Sequence, residues 1–564
     1  MPCLIAAFSV LFFASAFICP NSAQAQTDPG TGVDVLDRDS RQAPPEPLSR
    51  PRIAIGQPEG AESAFDTSAQ FRLASIEVEG SAVFSSQELT APYAEQIGRQ
   101  ISLGDLKRMA DEMSAKYREA GYILSRVIIP AQELDPQGAN VKLAAAEGFL
   151  GAISWQGDPK LIEKVSAYFS ASRTKLLAMR PLQYAALERA VNLLSDVPGL
   201  TVSTTFAKSA VPGASDLVIN VRHKIMEGYL SSGNTGTQSA GPWLISAGAS
   251  FAGIPFVGGR TSLSYSQAWD WREYYSLSIA HRHLWASGFS LSASYSFSES
   301  QKPGTDFAKL FDHATKSDTY TLGAGYQLIR GRDLNLSLGA IYTHRDSRAE
   351  LLGAPYTEDK LRSLAFDINF DFSDEMGGVT QVIPSVTLGL DSFGATDRDP
   401  RSSSPLAPAS YSRVNLYIAR QQSLPLDFSL AASGEIQLAG TVLPSYEQFS
   451  LGGQLFGRGY DPGILEGDNG AAGSLELRRP WRLSELTVMP YVFIDGGTVW
   501  TKGRTDGVDP HAELSSAGLG LRLSSQSEAL PISGFSLNVF VAKPLKAVDN
   551  NSSARWAGLL SFNF

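Results

Sequence analysis

Cysteine is nearly absent: the two present, Cys3 and Cys19, both fall in the first 20 residues. No Lys or Arg precedes Arg38. Beyond the first 25 residues no apolar run reaches 18, so no helix of this sequence is expected to cross a membrane. Basic residues do not dominate; 47 Lys and Arg against 57 Asp and Glu give a net charge of −10, which argues against a nucleic-acid binder. Charged residues are only 18% of the chain, and mean hydropathy is −0.08, so a helical membrane protein is excluded as well.

Cys3 to Cys19 is apolar except for Ser9 and Ser15, and Ser22-Ala23-Gln24-Ala25 has the form a signal peptidase accepts. Residues 1–25 read as a cleaved secretory signal, although the usual basic start is missing. Lipid attachment at Cys19 is the alternative, with Ala16-Phe17-Ile18 a poor match for it. After cleavage no thiol chemistry is left.

Residues 26–70 read as a Pro-rich linker, with Pro29, Pro44, Pro45, Pro47 and Pro51 and few apolar positions. Val33 to Gln42 has room for a short helix that Pro44 and Pro45 stop.

From Phe71 the chain turns regular. A strand is expected over Phe71 to Val78. Ser102-Leu-Gly-Asp105 resembles a capping box, opening a helix with Leu103, Leu106, Ala110, Met113 and Tyr117 at helical spacing. Gly121 closes it. Strands follow at Tyr122 to Ile129 and Val141 to Glu147. The same order recurs. Leu150 to Trp155 is a strand and Pro159 to Phe169 a helix. Pro181 is expected at the first position of a second helix, before strands at Leu200 to Phe206 and Leu217 to Val221. Two α+β units, 71–149 and 150–224, are therefore expected.

From 225 to 564 period-2 alternation replaces the helical signal. Phe289 to Ser298 and Leu364 to Phe370 alternate without a fault. One face is apolar or aromatic, the other Ser, Asn, Asp or Gly. Segments near ten residues suit a tilted strand crossing a bilayer, and a small neutral polar face suits a water-filled lumen. Trp269, Trp271, Tyr274, Tyr275 and Trp285 cluster near segment ends, as an interfacial girdle would. About 340 residues at roughly 21 per strand and connection give about 16 strands, an even number as bacterial barrels need. Trp556, Leu560, Phe562 and Phe564 share one face of the last strand. The fold class is mainly β: a transmembrane antiparallel barrel preceded by α+β units.

Leu451 to Tyr460 reads LGGQLFGRGY. Gly457 and Gly459 permit φ > 0 and close approach to a wall. Between them Arg458 projects a fixed, charged fork that seeks a carboxylate. Phe493-x-Asp495-x-Gly497 offers one. Gly452-x4-Gly457 has the first spacing of a phosphate loop, but Arg458-Gly459 stands where Lys-Ser/Thr is required. His281 and His283 lie on one face of a strand, and two imidazoles without a third ligand do not make a metal site. No catalytic constellation can be assembled, so no enzyme, cofactor or metal is expected.

With Tyr117 to Pro130 (YREAGYILSRVIIP), Glu147-Gly148, Tyr446 to Gly453 and the Gly457-Arg-Gly-Tyr460 run, the chain resembles the two-partner secretion (type Vb) transporters. These are the TpsB or haemolysin secretion/activation type (ShlB/FhaC/HecB-like), within the superfamily of outer-membrane barrels carrying POTRA domains. The resemblance covers roughly residues 71–564 and departs at Gly457, where the family often has Val. It implies two POTRA units in the periplasm and a 16-stranded barrel whose sixth extracellular loop folds into the lumen. It makes Arg458 the loop tip, Tyr460 its aromatic companion, and Phe493, Asp495 and Gly497 the wall motif. Trp556, Phe562 and the terminal Phe564 become the barrel-insertion signal. A secreted exoprotein is the implied partner, with outer-membrane lipid, the barrel-assembly machinery and periplasmic chaperones during biogenesis. An assembly factor for other barrels uses the same parts and stays open as the alternative. A passive porin does not need 150 residues of periplasmic modules.

Overall fold

The computed structural model describes residues 53–54, 69–238, 241–270, 273–301, 313–503, 510–526, 533–548 and 553–564. The expected signal segment, most of the linker with its short helix, and Trp271 lie outside the described residues.

After β1 (Ile53–Ala54) comes a unit of β2 (Gln70–Glu79), α1 (Ser86–Thr90), β3 (Gln100–Ser102), α2 (Leu103–Glu119), β4 (Arg126–Ile128) and β5 (Ala139–Ala146). Its sheet runs β3-β2-β5-β4, with β2 and β5 parallel. The capping box forms: Ser102 Oγ accepts from Asp105 N, and the Asp105 carboxylate accepts from Ser102 N. Leu106, Met109, Ala110, Met113 and Tyr117 of α2 are buried on the sheet. The Tyr117 hydroxyl donates to Glu147 Oε1 at 3.0 Å, and burial pushes its phenol up to about 12. The same Glu147 oxygen accepts from Ala82 N and Val83 N. A Cβ at Gly148 would sit 2.3 Å from Leu124 O, so only glycine fits there. The strand expected over Tyr122 to Ile129 shrinks to Arg126–Ile128. Tyr122 N instead bonds back to Tyr117 O, and Ser125 N to Tyr122 O, spending those residues on the helix exit.

The second unit contains β6 (Phe149–Gln156), α3 (Pro159–Tyr168), α4 (Ser170–Ala178), α5 (Tyr184–Ser195), β7 (Leu200–Lys208) and β8 (Ala214–His223). Its sheet runs β1-β7-β8-β6. Two features differ from expectation. Helix α4 was not anticipated, because its sequence SASRTKLLA carries no apolar period. Pro181 does not open α5; Gln183 is the cap, and Leu182 N is held by Gly148 O.

The rest is a closed antiparallel barrel. Its strands are β9 (Met226–Gly233), β10 (Leu244–Ala252), β11 (Gly259–Ala268), β12 (Tyr275–Leu284), β13 (Phe289–Gln301), β14 (Ala314–Arg330), β15 (Leu334–Leu351), β16 (Ala354–Ser373), β17 (Gly378–Gly389), β18 (Ser412–Ser423) and β19 (Ser429–Ala439). A loop hairpin of β20 (Phe449–Leu451) and β21 (Leu465–Gly467) intervenes. The wall resumes with β22 (Asn469–Arg478), β23 (Trp481–Leu483), β24 (Leu486–Trp500), β25 (His511–Gln526), β26 (Gly534–Pro544) and β27 (Arg555–Asn563), which pairs with β9. Strands β22 and β23 both pair with β24 and make one wall position, interrupted at Arg479-Pro480 where proline supplies no donor. The wall therefore has 16 strands.

Alternation assigns the two faces. Leu263, Tyr265, Leu277 and Ile279 project outward, exposed, as a lipid-facing surface. Trp556 of β27 (56% exposed) lies on that face, and Phe564 (43% exposed) directly follows the strand's end. His281 and His283 share it with Leu277: His281 Nδ1 is 2.9 Å from Thr261 Oγ1, and His283 packs on Trp285. They are girdle residues. Tyr274 is not, being buried against Ala268 and Leu244. Strands β14, β15 and β16 have 17, 18 and 20 residues, well beyond the roughly 9–11 that cross a bilayer, and so extend past the membrane.

Candidate functional site

The loop from 440 to 468 turns back inside the barrel. Hairpin β20–β21 aims it, and Phe449, Leu451, Phe456, Tyr460 and Leu465 form an apolar cluster with Val499 and Leu514 of the wall. Gly457 takes φ +95, a conformation that favours glycine. Gly459 does not have positive φ, contrary to expectation. Its role is proximity: a Cβ there would lie 2.8 Å from Ser516 Cβ and 3.0 Å from Pro544 N.

Arg458 is thereby pressed against β22 and β24. Its Nε donates to Asp495 Oδ2 at 2.6 Å, one terminal nitrogen to Glu476 Oε2 at 2.8 Å, and the other to Ser474 Oγ at 2.9 Å. The guanidinium lies 3.4 Å over the Phe493 ring. Asp495 Oδ1 accepts from the backbone N–H of Gly457 and Arg458 and from the Ser516 hydroxyl. Gly459 N donates to Ser516 Oγ, and the Tyr460 hydroxyl to Ser515 O. Gly497 lets β20 approach: a Cβ there would meet Leu451 Cδ2 at 2.7 Å. The Asp495 side chain is fully buried, and those of Arg458 and Glu476 nearly so.

Every residue expected in this lock is thus brought together: Gly457, Arg458, Gly459 and Tyr460 from the loop; Phe493, Asp495 and Gly497 from the wall. Trp556, Phe562 and Phe564 lie elsewhere, on the lipid face beside the β9–β27 seam. Sequence reasoning missed Glu476, on which Arg458, Arg478 and Arg522 all converge. A signal was there, since Ser474-Leu-Glu-Leu-Arg478 alternates and puts a carboxylate in mid-strand on the polar face. The lumen is also not the neutral channel expected. Arg345, Arg413 and Arg458 are largely or wholly buried in it. Arg413 pairs with Glu447 at 2.6 Å, and Arg345 stacks on Tyr446, so the base of the loop is held as well as its tip. Asp468 joins the base to both sides, accepting from Leu443 N and Lys502 N.

Chemically this is a clamp. Three guanidiniums face two carboxylates in a site of lowered dielectric, where each charge depends on its partners. Gly452 to Gly459 builds no phosphate loop; Gly452 bridges to Phe456 and no helix follows. Among the described residues no three His, Cys, Asp or Glu side chains gather to hold a metal.

A family model, "Haemolysin secretion/activation protein ShlB/FhaC/HecB", matches residues 213–523, and "POTRA domain, ShlB-type" matches 71–148. The heme/hemopexin transporter protein HuxB of Haemophilus influenzae is 25% identical over 480 residues, 83% of this chain and 81% of that protein. The hemolysin transporter protein HpmB of Proteus mirabilis is 25% identical over 463 residues, 77% and 76% of the two chains. In structure the chain is similar to CdiB from Escherichia coli, with a TM-score of 0.72 at 19% identity over 96% of this chain and 100% of that one. The chain belongs to the haemolysin secretion/activation family: it is a two-partner secretion transporter of the bacterial outer membrane, with its barrel in the bilayer and its POTRA region in the periplasm.

Proposed function

We propose that the protein recognises an unfolded, adhesin- or haemolysin-like exoprotein through its periplasmic units and passes it through the barrel to the cell surface. No nucleotide is hydrolysed and no bond is made or broken in the client. Substrate binding and folding outside the cell supply the drive.

The observation that carries this reading is the clamp. The barrel interior is occupied by a loop held only by hydrogen bonds, ion pairs and apolar contacts, centred on Arg458, Asp495 and Glu476. Such a brace can hold a conduit in one arrangement and be rearranged without covalent change. A second observation supports recognition by strand addition: Ile53–Ala54 already pairs in parallel with Thr204 and Thr205 on the β7 edge. An extended client can use such an edge in the same way. The relatives named as a heme/hemopexin transporter and a hemolysin transporter support an exported partner of that kind. During biogenesis, outer-membrane lipid, periplasmic chaperones and the barrel-assembly machinery complete the set of partners.

Deleting the gene and comparing culture supernatants tests the reading. Loss of one large exoprotein, with other outer-membrane proteins intact, is the expected result. Loss of many outer-membrane barrels would make this protein an assembly factor instead.

A further inference from the structure

A cavity of about 650 Å³ lies between the second periplasmic unit and the barrel rim. From below it is lined by the start of α3 and the end of β8; from above by Ile225 and the turn between β10 and β11. Two chemistries meet in it. Lys160, Lys164 and Arg222 supply three exposed cations in a chain whose net charge is −10. Leu161, Ile225 and Ile254 supply an apolar wall. The lining carboxylate, Asp158, already accepts from the backbone N–H of Lys160 and Leu161 as the cap of α3.

The cavity lies beside the barrel rim. Ile225 lines it, and the next residue, Met226, opens β9, pairs with Phe251 and is on the outward face with Leu230. The adjoining turn carries Ile254 (48% exposed) and Phe256 (71% exposed). Large apolar side chains on a turn at the barrel rim suit the boundary of a bilayer, where aromatic residues mark headgroup depth. The basic residues hang just below that level, where anionic headgroups attract lysine and arginine.

We propose that this cavity binds an anionic glycerophospholipid of the periplasmic leaflet. Its phosphate is held by Lys160, Lys164 and Arg222, and its acyl chain lies along Leu161, Ile225 and Ile254. The lipid seats the second periplasmic unit against the membrane surface. This goes beyond export itself and is independent of which exoprotein is carried.

The test uses the full chain reconstituted in nanodiscs of phosphatidylethanolamine and phosphatidylglycerol, the latter bearing a photoreactive acyl chain. Labelled peptides are mapped by mass spectrometry. The expected result is strong labelling within 157–165 and 252–258. In the Lys160→Gln/Lys164→Gln/Arg222→Gln variant it falls by on the order of tenfold. Labelling of the last strand by bulk lipid stays unchanged and reports an intact barrel. Undiminished labelling in the variant would overturn the proposal, as would equal labelling by a neutral phosphatidylcholine probe. Protection of the cavity by added exoprotein, with no lipid labelling in its absence, would assign it to the client and also overturn the proposal.

Discussion

Arg458 Nε lies 2.6 Å from Asp495 Oδ2 across 37 residues of sequence, and the Asp495 side chain reaches no solvent. Breaking a buried pair by removing one partner typically costs about 3–5 kcal/mol. Asp495 keeps two backbone donors and Ser516, so Arg458→Ala should fall near the low end. The β-ladder does not depend on it, and the barrel should still insert. We predict loss of export with unchanged heat-modifiable mobility of the folded barrel. Arg458→Lys should not restore export, because one ammonium cannot serve Asp495, Glu476 and Ser474 with the geometry of a guanidinium.

Glu476→Gln should loosen the clamp from the other side. Arg458, Arg478 and Arg522 would then face Asp495 as the remaining carboxylate of the cluster. Loop 440–468 should become more open to external protease than in the native protein. Ser474→Ala removes one neutral acceptor, worth about 1 kcal/mol, and should leave the digestion pattern near native.

Gly457→Ala and Gly459→Ala should both displace the tip, for different reasons. At 457 the strain is in the backbone, at φ +95, with Leu514 Cδ1 also 2.6 Å from the new Cβ. At 459 it is purely contact with Ser516 and Pro544. Trimming Leu514 to Ala should therefore not rescue Gly457→Ala fully, as export assays of the double variant would show.

At the junction of periplasm and membrane, the buried Arg330 side chain makes two 2.7 Å bonds to Asp196 and one to Asn335 Oδ1. The Asn192 side chain donates to Arg330 O, and Arg189 to Leu328 O and Gln327 O. Together these fix α5 to the turn between β14 and β15. Asp196→Ala strands a buried guanidinium, so spin-label distances between the second unit and the barrel should broaden. Replacing both partners, Asp196→Leu with Arg330→Met, should narrow them again.

Glu188 of α5 faces the same turn, near Tyr184, Arg332 and Asp333. Burial raises its pKa above the usual 4.5. A carboxyl with a raised pKa in the docked state favours docking most below its free value. That contribution is lost as pH rises through the raised one. Docking of the second unit should thus tighten on acidification, and Glu188→Gln should flatten the dependence in the same distance measurement.

Much of this was legible in the residues. Period-2 runs such as Phe289 to Ser298 state their two faces directly, and the Ser102/Asp105 box places α2. Tyr117 and Glu147 stood out as members of two separate motifs, but their hydrogen bond was not anticipated, since it joins the ends of one unit. Arg458 asked for a carboxylate, and Asp495 was found because both sit in recognisable motifs. Glu476 was missed because its importance comes from neighbours on β24 and β25 that are close in space alone. The luminal arginines were missed likewise: Arg345 and Arg413 look like ordinary polar-face residues until the loop folds in above them. Helix α4 left no trace because neither an apolar stripe nor a side-chain cap marks it.

The most direct test is an experimental structure of the full chain in lipid nanodiscs, read at one distance. The account predicts Arg458 Nε within salt-bridge reach of Asp495 Oδ2, near 2.6 Å, with loop 440–468 inside a closed barrel. A loop tip outside the barrel, with Arg458 in solvent and Asp495 satisfied by other groups, would contradict it.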